Sequence, residues 1–307
     1  VISGARLRRD DRRPRMLGVL LSTQAWQPAR FAVGRLARRL TMSAGVVTET
    51  VEIDGQTMEV ERFVEADVGM EFPKVELTEK IFDDPTGSKK DTGKTWPDEF
   101  IFPPQAFKRM DENDDEDFYG MPRLCYHIDE GAVRALTNYY KENIPDGSAI
   151  LDICSSWVSH YPADFPQKMS RIAATGMVQG ELARNPQLTD FEPKNLNVDP
   201  TLPYDDNTFD AATCVVSVDY LIKPLEVFKE INRVLKPGGK FILSQSNRCF
   251  QTKAVMMWLQ QSDLQHCQVI GSYFHYAGGF APARAFDVSP KGPRTNDPLF
   301  IVESTKL

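Results

Sequence analysis

The chain has 307 residues, 41% hydrophobic and 26% charged, which suits one large α/β domain with an extension, or two small domains. Charge is divided unevenly: residues 1–42 hold ten Arg and two Asp, a balance of +8, and the remainder holds 26 basic and 41 acidic residues, a balance of −15. An acidic body repels phosphate backbones, which argues against nucleic acid as a partner. No apolar run approaches the roughly 18–20 residues that cross a bilayer.

Between Arg12 and Val47 there is no acidic residue, and Arg30 to Leu40 sets arginines and apolar residues on different sides of a short helix. That composition predicts an organellar transit peptide over 1–45, plastid or mitochondrial, with a disordered basic tail as the alternative. The chain opens on Val1, and Met16 would begin a better leader than residues 1–15. Five cysteines without C-x-x-C spacing indicate neither a zinc site nor a disulfide framework, and no metal is expected.

Residues 46–124 read as an extension of short strands and loops. Thr50-Val51-Glu52-Ile53 and Met58-Glu59-Val60-Glu61 flank Asp54-Gly55, a hairpin signal. Pro85 to Pro97 reads as a loop. Asp111 to Asp117 carries six acids in seven residues; it lacks the glycine of a calcium loop and predicts a solvated loop. Phe118 and Tyr119 beside it either cover a pocket or simply pack.

The remainder, 125–307, is regular. Asp129 is placed to cap a helix in which Ala132, Val133, Leu136 and Tyr140 share a face. Short apolar strands are expected at Ala149–Cys154, Ile172–Met177 and Asp210–Val216, with a short helix over Glu181–Asn185. An amphipathic helix over Leu225–Leu235 ends at Lys236-Pro237-Gly238-Gly239 and runs into the strand Lys240–Ser244. A long helical stretch is expected from about Thr252 to Tyr276, then strands at Ala283–Val288 and Leu299–Ser304. The Pro/Gly loop between these two is too short for a parallel crossover, so they pair antiparallel. The fold class is α/β: a Rossmann-like doubly wound sheet, mostly parallel with an antiparallel last strand.

Two segments carry a resemblance. Leu202-Pro203-Tyr204-Asp205-Asp206-Asn207-Thr208-Phe209-Asp210 is similar to L-P-[FY]-x-D-N-[ST]-F-D, and Arg233-Val234-Leu235-Lys236-Pro237-Gly238-Gly239 to R-V-L-K-P-G-G. At this spacing they resemble the class I S-adenosylmethionine-dependent methyltransferases, type 11, over about residues 125–305. The lack of G-x-G-x-x-G argues against a nicotinamide dehydrogenase. The resemblance implies S-adenosylmethionine as cofactor, bound beyond the strand ends at the switch point of the sheet. It implies cofactor contacts from Asp152, Cys154, Ser155 and Ser156 after the first strand, from an acid after the second, for which Glu181 is nearest, and from Asn195 after the third. The first motif of the family, D-x-G-x-G-x-G, is altered here: Cys154, Ser156 and Val158 occupy its glycine positions. The altered loop, Ser155-Ser156-Trp157-Val158-Ser159-His160-Tyr161-Pro162, and the preceding His127-Ile128-Asp129 resemble a subgroup with S-S-W-x-S-H-x-P.

Methyl transfer requires alignment of nucleophile, methyl and sulfur, and often removal of a proton. Asp219 and Tyr220, beyond the fourth strand, are the first candidates on the reacting side, and His160 is a candidate base. His127 and Asp129 are further candidates. The bland alternatives are that Asp129 and Asp219 only cap helices or turns and that His160 only pins its loop. An acidic surface with aromatic and His candidates suits a small-molecule substrate. The contrasting reading, fed by the occupied glycine positions, is a catalytically silent methyltransferase-like binding or scaffold protein.

Overall fold

The computed structural model describes residues 41–43, 46–53, 56–63, 69–82, 96–292 and 296–307. The basic segment 1–40, the Asp54-Gly55 turn and most of the Pro85–Pro97 loop lie outside them. A small antiparallel sheet is formed by β1 (Thr41–Ser43), β2 (Val46–Ile53) and β3 (Gln56–Phe63), with Ile53 opposite Gln56 at the predicted turn.

Next along the chain come β4 (Val75–Glu76), α1 (Thr78–Phe82), α2 (Asp115–Tyr119) and α3 (Glu130–Asn143). The α/β run follows: β5 (Ala149–Ile153), α4 (Phe165–Lys168), β6 (Arg171–Gly176), α5 (Gln179–Leu182) and β7 (Asp190–Pro193). After it come β8 (Phe209–Val215), α6 (Pro224–Val234), β9 (Leu235–Gln245), α7 (Asp263–Ala277), β10 (Arg284–Asp287) and β11 (Phe300–Thr305).

The large sheet has the order β4-β10-β11-β9-β8-β5-β6-β7. Strands β5 to β9 pair parallel, β11 runs antiparallel between β9 and β10, and β4 pairs antiparallel with β10. The chain moves outward through β5, β6 and β7, then returns to β8 on the other side of β5. That return makes the switch point, and the crevice beside β5 is where a doubly wound sheet takes its ligand.

Alternation along each strand divides the core into two layers. Ile150 of β5 packs with Leu136 and Tyr140 of α3, whereas Leu151 and Ile153 join Phe228 and Ile231 of α6 and Phe274 of α7. Asp129 caps α3 as its sequence position predicts, accepting from the Ala132 N–H at 2.9 Å. At the Pro237-Gly238-Gly239 turn Gly238 has φ +81°, which favours glycine, and the β8–β9 register slips there between Phe209 and Ala211.

Two expectations are corrected. The helical stretch expected from Thr252 is confined to α7, because Ser262 starts the helix with its N–H donating to Gln265 Oε1 at 2.9 Å. Only a 3-10 turn, Trp258–Gln260, precedes it. The acidic run is a solvated loop only in part: Glu112, Asp114, Glu116 and Asp117 are exposed, but its second half is helical and one acid is buried. Asp114 caps α2 through the Glu116 N–H at 3.0 Å, and Asp115 is buried. Its carboxylate meets Arg109 at 2.6 Å and Lys253, whose side chain is fully buried, at 3.3 Å. One nearby cation, Arg109, and one from far along the chain, Lys253, replace the mutual repulsion with attraction.

Candidate functional site

A cavity of about 380 Å³ opens at the C-terminal ends of β5, β6 and β8, within the size range of ligand pockets, roughly 300–1,000 Å³. Asp152 lies on its floor at the end of β5 and is buried. Its two oxygens accept from Ser155 Oγ at 2.6 Å and Thr213 Oγ1 at 3.0 Å, and Tyr161 Oη continues the chain to Thr213 at 2.6 Å. Burial pushes the Asp152 carboxyl up to about 6, and the hydroxyls from Ser155, Ser159 and Thr213 restrain the rise.

The loop after β5 does without its glycines by two means. Cys154, at the first glycine position, takes the left-handed backbone itself, with φ +53°, as does His160 at +59°. Such a conformation costs a non-glycine residue roughly 1–3 kcal/mol and needs outside support. Support comes from the Ser155 N–H donating to the Thr175 carbonyl at 2.8 Å, and from Asn185 Nδ2 donating to Ser156 O at 3.0 Å and Ser159 Oγ at 2.8 Å. The path of the loop is held by side-chain hydrogen bonds. Opposite, Gly176 at the end of β6 lies so close that an added Cβ would run into the Ser155 carbonyl oxygen.

Glu181 is buried in the cavity wall with both oxygens engaged: Oε1 accepts from the Arg123 backbone N–H at 2.5 Å, Oε2 from Ser156 Oγ at 2.7 Å. It ties the segment before α3 to the β5 loop. Asn195 lines the cavity, and its side-chain oxygen accepts from the Asn197 N–H at 3.0 Å. Asn197 does more to hold the wall, donating to Asp115 Oδ2 at 3.0 Å and to the Tyr220 carbonyl at 2.9 Å.

All six residues expected on the cofactor side, Asp152, Cys154, Ser155, Ser156, Glu181 and Asn195, line this one cavity. The expected reacting side is split. Tyr220 lines the cavity, with Oη accepting from the Phe250 N–H at 2.8 Å. Asp219 does not line it: the carboxyl is 3% exposed, Oδ2 has no partner, and burial pushes it up to about 8. The 3-10 turn Val218–Tyr220 sends the two neighbours in different directions. His160 lines the cavity with Nδ1 unpartnered, and burial lowers its imidazole to about 4. It is neutral at neutral pH and a weak base. Asp129 caps α3 and also accepts from the Asp297 N–H at 2.6 Å, so its oxygens are committed to structure.

The wall also includes residues that the sequence does not single out, among them Arg123, Tyr126, Arg248, Cys249 and Phe250. Arg248 to Phe250 follow β9, where the chain leaves the C-terminal edge of a parallel strand, and that position is a usable signal. Arg123 and Tyr126 sit in aperiodic chain with no such signal.

The donor set fits S-adenosylmethionine. The cavity combines buried carboxylates, which suit a sulfonium and ribose hydroxyls, with aromatic rings and backbone brought close at Gly176.

Residues 147–243 match the sequence model of a family described as a methyltransferase domain. A 42-residue stretch is 52% identical to sterol 4-C-methyltransferase of Caenorhabditis elegans; it covers 14% of this chain and 13% of that protein's length. Among solved structures, a [4+2]-cyclase, SpnF, is 19% identical with TM-score 0.43 over 60% of this chain and 88% of its own. A methyltransferase of Thermotoga maritima described as a possible histamine N-methyltransferase is 15% identical with TM-score 0.42 over 58% and 90%. Over residues 147–243, about a third of the chain, the sequence is thus similar to the methyltransferase-domain family.

Proposed function

We propose that the chain binds S-adenosylmethionine in the cavity beside β5 and transfers its methyl group to a small-molecule acceptor. The observation that carries the reading is Cys154: it adopts the left-handed backbone at the family's first glycine position, beside a buried Asp152 that the cavity shares with Glu181 and Asn195. When bound, the cofactor supplies an electrophilic methyl group. The residues of this chain would bind and orient it, Asp152 and the Ser155–Ser156 backbone beneath the methionine part, Glu181 toward the ribose, Asn195 toward the adenine. The aromatic wall would exclude water. The cavity's size supports a small acceptor, and the short match to a sterol methyltransferase agrees with it.

Residues 46–124 are read as an extension that completes the domain at 125–307. The pairing of β4 with β10 and the presence of Asp115 and Tyr119 in the cavity wall support this. The acid-free stretch Arg12–Val47 supports plastid or mitochondrial delivery. A fusion of residues 1–45 to a fluorescent reporter that stays diffuse in the cytosol would overturn that part.

One observation favours a second reading, a methyltransferase-like protein without catalysis: both Glu181 oxygens are already engaged within the protein. Calorimetric titration with S-adenosylmethionine separates the two. Saturable heat is expected, and its absence at millimolar cofactor with a folded chain would sink the enzyme reading.

A further inference from the structure

One wall of the cavity is built from the 119–127 segment and the chain after β9, apart from the loops assigned above to the cofactor. Its polar side chains, the Tyr119 hydroxyl buried, Arg123 half-buried and His127 exposed, leave hydrogen-bonding capacity unused within the described residues. Arg123 donates to the Phe118 carbonyl oxygen at 2.8 Å and has no ion pair among the described residues. A guanidinium carries five N–H donors in a fork matched to a carboxylate. Tyr119 Oη is buried with no hydrogen-bond partner. His127 makes a ring contact with Phe250 at 5.3 Å and no side-chain hydrogen bond among the described residues.

The three converge on Phe250. The Arg123 Cζ stands 5.5 Å above its ring, and the Tyr119 ring lies 6.3 Å away, edge-on. Neighbouring acids do not claim the guanidinium. Asp115 is taken by Arg109 at 2.6 Å and Lys253 at 3.3 Å, and Glu181 by the Arg123 backbone N–H and Ser156. Asp219, pushed up to about 8 by burial, is protonated and adds no competing charge at neutral pH. Burial and the Arg123 charge lower His127, so its imidazole is neutral there. The surplus in this wall is one cation and one phenol, against aromatic faces.

We propose that this wall holds the methyl acceptor by an acidic oxygen, a carboxylate or an ionised hydroxyl on a planar ring. Arg123 pairs with the oxygen, Tyr119 Oη donates to it, and the ring packs on Phe250. The assignment rests on the cavity being a methyl-transfer site, and it deepens that reading by naming the acceptor's chemistry. A buried anion needs a paired cation, and a flat apolar body gains from aromatic walls. A neutral acceptor would leave the half-buried Arg123 without an ion pair.

The test uses the full chain and three ring probes of one shape, benzoate, benzamide and benzylamine, with binding read by saturation-transfer NMR and calorimetry. Benzoate is expected to bind at least about ten-fold more tightly than benzamide, with benzylamine weakest. R123Q should abolish the preference, R123K should keep part of it, and Tyr119→Phe should weaken benzoate without changing benzamide. Equal binding of benzoate and benzamide to the wild type would overturn the proposal, as would an undiminished preference in folded R123Q. If R123Q does not fold, the wild-type ranking and Tyr119→Phe decide. S-adenosylmethionine is titrated in parallel with the wild type. Cofactor binding without benzoate preference removes only this inference; benzoate preference without cofactor binding removes the proposed function and with it the acceptor's identity, leaving an anion site.

Discussion

Asp152 and Gly176 show how single residues fix the site from opposite sides. Asp152 collects hydroxyls from Ser155 and Thr213 and so anchors the start of a loop that has no glycine to bend it. Gly176 leaves that loop room, and its replacement by Ala forces Ser155 and its neighbours aside. Gly176→Ala is expected to cost about 1–3 kcal/mol in urea denaturation and to weaken cofactor binding at least about ten-fold. Wild-type affinity would show that the loop tolerates the shift. Asp219 carries a pH dependence instead. Its carboxyl titrates at about 8 when folded, against an ordinary 3.8, so the folded chain holds a proton that the unfolded chain releases. That contribution is complete below about pH 4 and is lost as pH rises toward 8, with the sign of falling stability. Asp152, raised to about 6, acts in the same direction over a narrower window. Asp219→Asn is expected to reduce the fall in melting temperature between about pH 5 and 8, measured by thermal denaturation across that range. An unchanged slope would mean that Asp219 holds no proton in the folded chain.

At the scale of elements, the segment around α2 is where charge patterning in sequence misleads. Six acids in seven residues repel one another in an extended chain. Folded, Asp111 and Asp115 meet Lys253 at 3.2 and 3.3 Å, and Lys253 Nζ also donates to the Asn113 carbonyl at 2.8 Å. Lys253 lies 142 residues beyond Asp111, a partnership without local signal. Removing one member of a buried pair leaves the other charged and unpaired, at roughly 3–5 kcal/mol, whereas an exposed pair contributes about 1 kcal/mol or less. Lys253→Met leaves Asp115 with Arg109 alone and takes from Asp111 its contact with Lys253, and is therefore expected to lower stability by more than the loss of an exposed pair and to open the 110–121 segment to protease. Arg171→Met, which breaks the half-exposed pair with Asp190, should have little effect on the denaturation midpoint. Similar losses from both variants would show that the Lys253 network is not special. The helices α3 and α6 behaved as their sequences predict, because the Asp129 cap of α3 and the apolar stripes of both lie within a few turns.

At the scale of the whole molecule, β11 holds the sheet together from the end of the chain. It lies between β9 and β10, with six residues paired to β9 and four to β10, so its loss would detach β10 and β4 at once. A chain ending at Pro298 is expected to lose near-ultraviolet circular dichroism and cooperative melting; a cooperative transition in that chain would disprove the dependence. The mostly parallel, doubly wound sheet was legible because two motifs, Leu202–Asp210 and Arg233–Gly239, flank β8 and α6 at fixed spacing, and alternating strands and helices admit few topologies; the strand order came only with the structure. The place of the six expected residues along one cavity was legible from the resemblance, which sets them at or beyond strand ends that face the switch point. Local pattern by itself thus determined the main strands and helices of 129–305, their parallel pairing and the antiparallel last strand, but not β4, α1, α2, α4 or β7. Only the tertiary structure decided which side chains enter that cavity. It turned Asp219 away and Tyr220 inward, brought Arg123 and Phe250 together across 127 residues, and paired the acidic run with Lys253. The physical reason is range: caps, turns and periodicity act over a few residues, while burial and ion pairing depend on neighbours that folding alone supplies.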